Sequence, residues 1–226
     1  MTRSTNARLA GFGYLSYIVV GILNEVLMYR ATSVEGTAAK LARIAEYSVD
    51  VRLAIILKLA ECFSAFVLAV ALYGITRDED NELAMLGLLC RFAEGVLVAG
   101  LIPNSQGLLW LASVRAGVDV PDVATRHALG AFMLAPGAAV GAMFFAVGSA
   151  IFSYLLLRGR MIPVSLAWWG LLSSALLVIG VPLQVAGFLT GPLAGYQWVP
   201  AIVFAPVFAL WLLIKGVATP GRRERS

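Results

Sequence analysis

Six stretches of this chain are each long and apolar enough to cross a lipid bilayer, and that removes most of the folds open to it. They are Ala10–Tyr29, Arg52–Thr76, Leu83–Ser113, His127–Leu157, Ile162–Leu189 and Gln197–Val217. A helix needs about 20 predominantly apolar residues to span a hydrocarbon core roughly 30 Å thick. Backbone N–H and C=O groups find no water in that core, so only helices and closed barrels span it. Barrel strands alternate apolar and polar side chains over about ten positions, and no such alternation occurs here. The expected fold is all-α: a polytopic bundle of six transmembrane helices forming a single domain over residues 1–226. An even helix number puts the N- and C-termini on the same side. The third and fourth stretches each hold a proline, Pro103 and Pro136, placed to kink them.

Composition agrees. Of 226 residues 60% are hydrophobic and 13% charged, against about 45–50% and about 25% in soluble domains. Such a chain cannot cover its surface with polar groups, which excludes a disordered region, a disulfide scaffold and a nucleic-acid module. The first apolar run follows Arg3 and Arg8 but carries Glu25 and lacks a small-residue cleavage site, so it reads as an uncleaved helix. On the side of the termini lie Arg3, Arg8, Arg77, Arg158, Arg160, Lys215, Arg222, Arg223 and Arg225, nine bases, against six (Arg30, Lys40, Arg43, Arg52, Arg115, Arg126) on the other. The positive-inside rule then places both termini in the cytoplasm of a cell inner (plasma) membrane. The tail Arg222-Arg223-Glu224-Arg225 reads as a topology anchor on lipid headgroups.

Among the connections, Arg77–Glu82 is a charged turn in which Asp80 or Asn81 can cap the next helix. Only Arg30–Val51 has room for structure of its own. Ala38, Leu41, Ile44, Ala45 and Val49 fall near helical spacing with Lys40, Arg43 and Glu46 opposite, which predicts an interfacial amphipathic helix over 37–49. It is a passive connector or a lid over a cavity. Val120-Pro121-Asp122 fits a helix start. Gly137 and Gly141 make a small-xxx-small packing face. No internal repeat is visible.

Charge inside a bilayer is costly and marks function by default. Glu25, Lys58, Glu61, Arg91 and Glu94 all lie in the first three stretches, and the last three hold none away from their ends. At 1.5 Å per residue, Glu25 and Lys58 share a level roughly 21–22 Å from the side of the termini, while Glu61 and Glu94 sit near the centre with Arg91 about one turn away. Lys58 and Glu61 are three apart, as are Arg91 and Glu94, so each pair shares a helix face. Three carboxyls face two bases. If Lys58 neutralises Glu25, Arg91 can serve only one of Glu61 and Glu94, and the other acid is expected to stay protonated in a dry site. That suits a general acid and equally a proton-carrying transport site. The alternative is that all five groups simply hold helices together.

Asn24, Asn104, Ser105, Gln106, His127 and Gln184 are expected around the mouth of an outward-opening cavity. One histidine without ligand-spaced partners gives no basis for a metal site, and nothing in the chain asks for a cofactor. Cys62 and Cys90 read as small core residues. Tyr14, Tyr17 and most other rings read as packing. Phe63, Phe66, Phe92, Phe132, Trp169 and Phe208 are candidates to wall a substrate pocket, because π faces steady a cation.

Gly21-Ile22-Leu23-Asn24-Glu25, Ala71-Leu72-Tyr73, Arg91-Phe92-Ala93-Glu94, Phe144-Phe145, Tyr154-Leu155 and Ile162-Pro163 together resemble a bacterial six-helix membrane family catalogued as a domain of unknown function, number forty-three eighty-six, from Gly11 to about Val217. The resemblance implies the fold and the acid positions and no activity. The family pattern leads one to expect an aspartate where this chain has Glu61, a departure that keeps an acid there. A weaker, functional likeness is to small membrane-bound terpene cyclases, which are similar in size and use intramembrane carboxyls. It implies that Glu61 or Glu94 protonates an isoprenoid, assisted by Arg91, Glu25 and Lys58, with aromatic faces steadying the carbocation. The leading expectation is thus acid-initiated cyclisation or isomerisation of a lipidic or prenylated substrate entering from the membrane lipids, with no nucleic-acid partner. A proton-coupled permease and a non-catalytic partner protein are the two alternatives.

Overall fold

The computed structural model describes residues 2–114, 122–135 and 139–218, and among them every regular element is a helix. In chain order these are α1 (Arg3–Thr32), α2 (Thr37–Glu46), α3 (Ser48–Thr76), α4 (Asn81–Ala99), α5 (Ile102–Ser113), α6 (Val123–Leu134), α7 (Ala139–Arg158), α8 (Val164–Val185), α9 (Pro192–Tyr196) and α10 (Val199–Ile214). Six segments are long and apolar enough to cross a membrane: α1, α3, α4 with α5, α7 from Val140, α8, and α9 with α10. In each, less than half of the most apolar window is buried within the protein. Phe12, Ile22, Val70, Leu172 and Ile202 therefore point outward, as expected of a surface solvated by lipid chains and not by water. This is a multi-pass membrane protein.

The long helices form a closed ring in sequence order. α1 packs on α3, α3 on α4, α4 on α7, α7 on α8 and α8 on α10, and α10 closes back on α1. Inside the ring a core joins Ala10 and Tyr14 of α1, Leu68 and Leu72 of α3, Phe152 of α7 and Phe204 and Phe208 of α10. At one end of it, Arg3 pairs with Asp78 (3.0 Å) and Arg158 with Asp80 (3.2 Å). Asp80 also caps α4 by accepting from the Leu83 N–H (3.1 Å), and the Ala218 N–H donates to the Met161 carbonyl (2.8 Å).

Two expected spans are interrupted. The third breaks after Ala99, where Gly100 and Leu101 turn before α5 begins at Ile102. Pro103, in the first turn of α5, has no N–H, and its ring would collide with the Ala99 carbonyl if the helix ran through. The fourth, expected as one helix over 127–157, is two: α6 stops at Leu134 and α7 starts at Ala139. Pro136, with Gly137 of the small-residue face, lies outside the described residues, as do Val120-Pro121 and the basic tail. Asp122 caps α6 by accepting from the Thr125 N–H (2.8 Å).

At the end opposite the Asp78–Asp80 turn, α2, α5 and α6 form a cap. Leu41 and Ile44 of α2 pack with Ala31, Val51, Leu108 and Leu111, and Met133 and Leu134 of α6 lie against them. Gly130 lets α6 approach, since a Cβ there would stand 3.0 Å from Thr37 Cγ2.

Candidate functional site

Arg91 and Glu94 both point from α4 into the centre of the ring and are 1% and 2% exposed. Three residues apart, they share one helix face. Arg91 Nη1 stands 2.7 Å from Glu94 Oε2, but its N–H is not directed at that oxygen. Nε, Nη1 and Nη2 of Arg91 all lack a hydrogen-bond acceptor among the described residues. The ion pair is therefore a charge contact that leaves the guanidinium's donors unused. Glu94 is held instead by α1: the Tyr17 hydroxyl donates to its Oε1 at 2.7 Å.

Rings from two helices surround the guanidinium. Its Cζ lies 4.8 Å from the centroid of Phe145 on α7, 5.5 Å from Tyr17 and 5.9 Å from Tyr14, all within the range of a cation–π contact. Gly148 of α7 makes room for the side chain, since a Cβ there would meet Arg91 Cγ at 3.0 Å and Cδ at 3.1 Å. Beside Arg91 is a small, mostly apolar cavity shared by five helices, with Tyr14, Arg91, Ser149 and Ser153 as its polar residues and Phe204 and Phe208 among the apolar walls. It offers about 20 Å³ to the centre of a water-sized particle, room for one or two waters.

The charge pairing corrects the sequence expectation. Lys58 lies 4.0 Å from Glu61, three residues along its own helix, and makes no ion pair with Glu25 among the described residues. The two intramembrane acids that are not exposed thus each have a base, Glu94 with Arg91 and Glu61 with Lys58. The third carboxyl, Glu25, is exposed on α1. Glu61 rests against α1 at Gly21, where a Cβ would stand 3.3 Å from its Oε1, one turn from Tyr17. The groups therefore follow one another from Arg91 and Glu94 at the centre, past Tyr17, to Glu61 and Lys58 and on to Glu25.

The remaining predicted site residues do not converge on this cluster. Phe63 and Phe92 are 64% and 48% exposed, and Phe66 stacks on Phe92 at 4.4 Å at the α3–α4 seam. Phe132 is 76% exposed on α6, and Trp169 is partly exposed on α8. Phe208 is the exception, buried edge-on to Tyr14 at 6.0 Å. The expected mouth is not assembled either. Asn24 is buried and donates to the Ala54 carbonyl (2.7 Å), Asn104 and exposed Gln106 sit on α5, and Gln184 accepts from Gln197 (2.6 Å). His127 is exposed on α6. Cys62 and Cys90 are buried free thiols. Sequence reasoning passed over Tyr14, Tyr17, Ser149 and Ser153. The three-residue step between the tyrosines and the four-residue step between two serines in an apolar helix were the available signals.

A profile described as Domain of unknown function (DUF4386) matches residues 9–216. The chain belongs to that family. Within this DUF4386 protein the match takes in five spans whole, α1 from residue 9 onward, and every member of the central cluster. No curated protein and no solved structure matches the chain, and the likeness to terpene cyclases gains no support.

Proposed function

We propose that this DUF4386 protein is a proton-coupled permease for small solutes, with Glu94 as its central proton site. What carries the reading is the succession of ionisable groups across one half of the bundle: Glu94 bonded to Tyr17 at 2.7 Å, Glu61 one turn further, and Lys58 at 4.0 Å from it. Series of acids within membrane helices are the usual material of proton relays. The groups are held by α1, α3 and α4, so a shift of one helix against the others changes which of them touch. The cyclase expectation fits less well. A pocket for an organic ligand measures roughly 300–1,000 Å³, against about 20 Å³ beside Arg91, and each inward acid already has a base. The excess of basic residues on one side supports a plasma-membrane orientation with both termini in the cytoplasm.

The test is reconstitution into liposomes holding a trapped pH dye, challenged in turn with chloride, nitrate, phosphate, glycine, glutamate and glucose gradients. At least one solute should drive proton movement well above that of protein-free vesicles, and Glu94→Gln should abolish it. Wild-type traces equal to protein-free vesicles for the whole set would overturn the reading.

A further inference from the structure

We propose that the cavity beside Arg91 is a binding site for a small monovalent anion of about the size of chloride or nitrate, and that each anion enters with one proton carried on Glu94. The binding half stands on its own observations; the coupling half rests on the permease reading above.

The case begins with the guanidinium. Arg91 is 1% exposed, and none of its three nitrogens has a hydrogen-bond acceptor among the described residues. A buried donor left unsatisfied costs about 1–3 kcal/mol, and more when the group is charged. Arg91 Nη1 faces Glu94 Oε2, itself without a hydrogen-bond partner, at 2.7 Å but out of line, while Nε and Nη2 find no acceptor at all among the described residues. The chain instead turns the guanidinium to the rings of Phe145, Tyr14 and Tyr17, and Arg91 lines a cavity. Two further hydroxyls line that cavity, Ser149 and Ser153, one turn apart on α7. A positive charge with free N–H groups, two hydroxyls and ring walls makes an anion site, for every polar hydrogen there can donate. Size narrows the class. About 20 Å³ for the centre of a water-sized particle admits one or two waters, hence a halide or a small oxyanion. A multiply charged anion such as phosphate would bring charge that a single cation cannot balance.

Charge balance supplies the coupling. Arg91 and Glu94 together are neutral. An added anion would leave the site at net minus one deep in the bundle, which is expensive in a low-dielectric interior. A proton on a Glu94 carboxylate oxygen restores neutrality. One O–H bond forms on Glu94, the anion accepts hydrogen bonds from Arg91 and the serines without covalent change, and the sum of charges is zero before and after. Glu94 touches Arg91 on its own helix and Tyr17 on α1. Tyr14 on α1 lies over the same guanidinium, and Glu61 on α3 rests on α1 at Gly21, one turn from Tyr17. From α7 come Phe145 at the guanidinium and Ser149 at the cavity, neither ionisable in this range. Tyr17, donating to Glu94, is the contact through which a proton would arrive from Glu61.

The experiment uses the full chain in detergent. Chloride or nitrate replaces gluconate, which is too large for the cavity, while thermal unfolding is followed. Wild type should show a saturable rise in Tm with chloride and nitrate and none with gluconate. Ser149→Ala/Ser153→Ala keeps the ion pair and should weaken the apparent anion affinity by about a hundredfold or more, the worth of two hydrogen bonds to a charged group. In weak buffer, anion binding should take up one proton per site in wild type and none in Glu94→Gln. Identical Tm curves in chloride, nitrate and gluconate would overturn the site, as would a double serine variant that binds like wild type. Binding without proton uptake would overturn the coupling and spare the site. Proton flux driven by glycine or glucose, with no anion response, would overturn this inference and leave the permease reading standing.

Discussion

The contact that most sharply separates a proton site from passive glue is the Tyr17 hydroxyl on Glu94 at 2.7 Å. Tyr17→Phe removes a hydrogen bond to a charged group and leaves the ring over Arg91 in place. A loss of about 1.5–3 kcal/mol is expected, read as a lower Tm in detergent, together with slowed solute-driven proton flux. Gly148→Ala forces a methyl against the Arg91 stem, and overpacking of about 1–3 kcal/mol should follow, with weakened chloride stabilisation as its second readout. The pairing of Arg91 with Glu94 was legible, because a three-residue step fixes a shared face whatever the tertiary structure. The partner of Lys58 was not read correctly. Depth along the membrane set it level with Glu25, but depth says nothing about the angle around each helix, and Lys58 turned to the acid on its own helix. Tyr17 was taken for packing because its three-residue step from Tyr14 marks a shared face without saying which group lies across the seam.

Among the elements, caps and breaks repeat the same lesson. Asp80 was legible as a cap, since an acid just before an apolar run is where orphan N–H groups need an acceptor. Asp80→Ala should cost about 1 kcal/mol from the cap, with less from its surface pair to Arg158, seen as faster amide exchange in the first turn of α4. The Thr125 N–H and hydroxyl both donate to Asp122 and hold its carboxyl below the usual 3.8. Its folded value is depressed, so the cap on α6 contributes above that value and is lost as pH falls through it. Carboxyl NMR should therefore find Asp122 titrating below 3.8, with α6 capped throughout pH 5–7. The proline in the third span announced a kink, and the interruption falls just before it, at Gly100 and Leu101, which keep right-handed backbone angles while the helix passes from α4 to α5. The fourth span carried the same signal in Pro136, and α6 indeed stops at Leu134 with Ala135 extended, although hydropathy alone runs on without a mark.

For the molecule as a whole, hydropathy alone specified six apolar crossings, because a bilayer leaves the backbone no other choice. The neighbours in the ring were not specified, since lipid-facing and helix-facing side chains are both apolar and the pattern cannot tell them apart. Glycines carry part of that missing information. A Cβ on Gly11 would stand 2.6 Å from Leu213 N and 2.7 Å from Ala209 O, so backbone meets backbone where α1 touches α10. Gly11→Ala should part the two helices at about 1–3 kcal/mol, whereas Gly195→Ala, with nothing within 4 Å, should leave Tm unchanged. That seam also orders events during synthesis. The Arg91–Glu94 pair enters the membrane with the third crossing, well before Phe145, and the wall provided by Phe204 and Phe208 is delivered last. A nascent chain halted one crossing early would hold its ionic centre beside an open flank, exposed to lipid and to the quality-control proteases that survey unfinished membrane proteins.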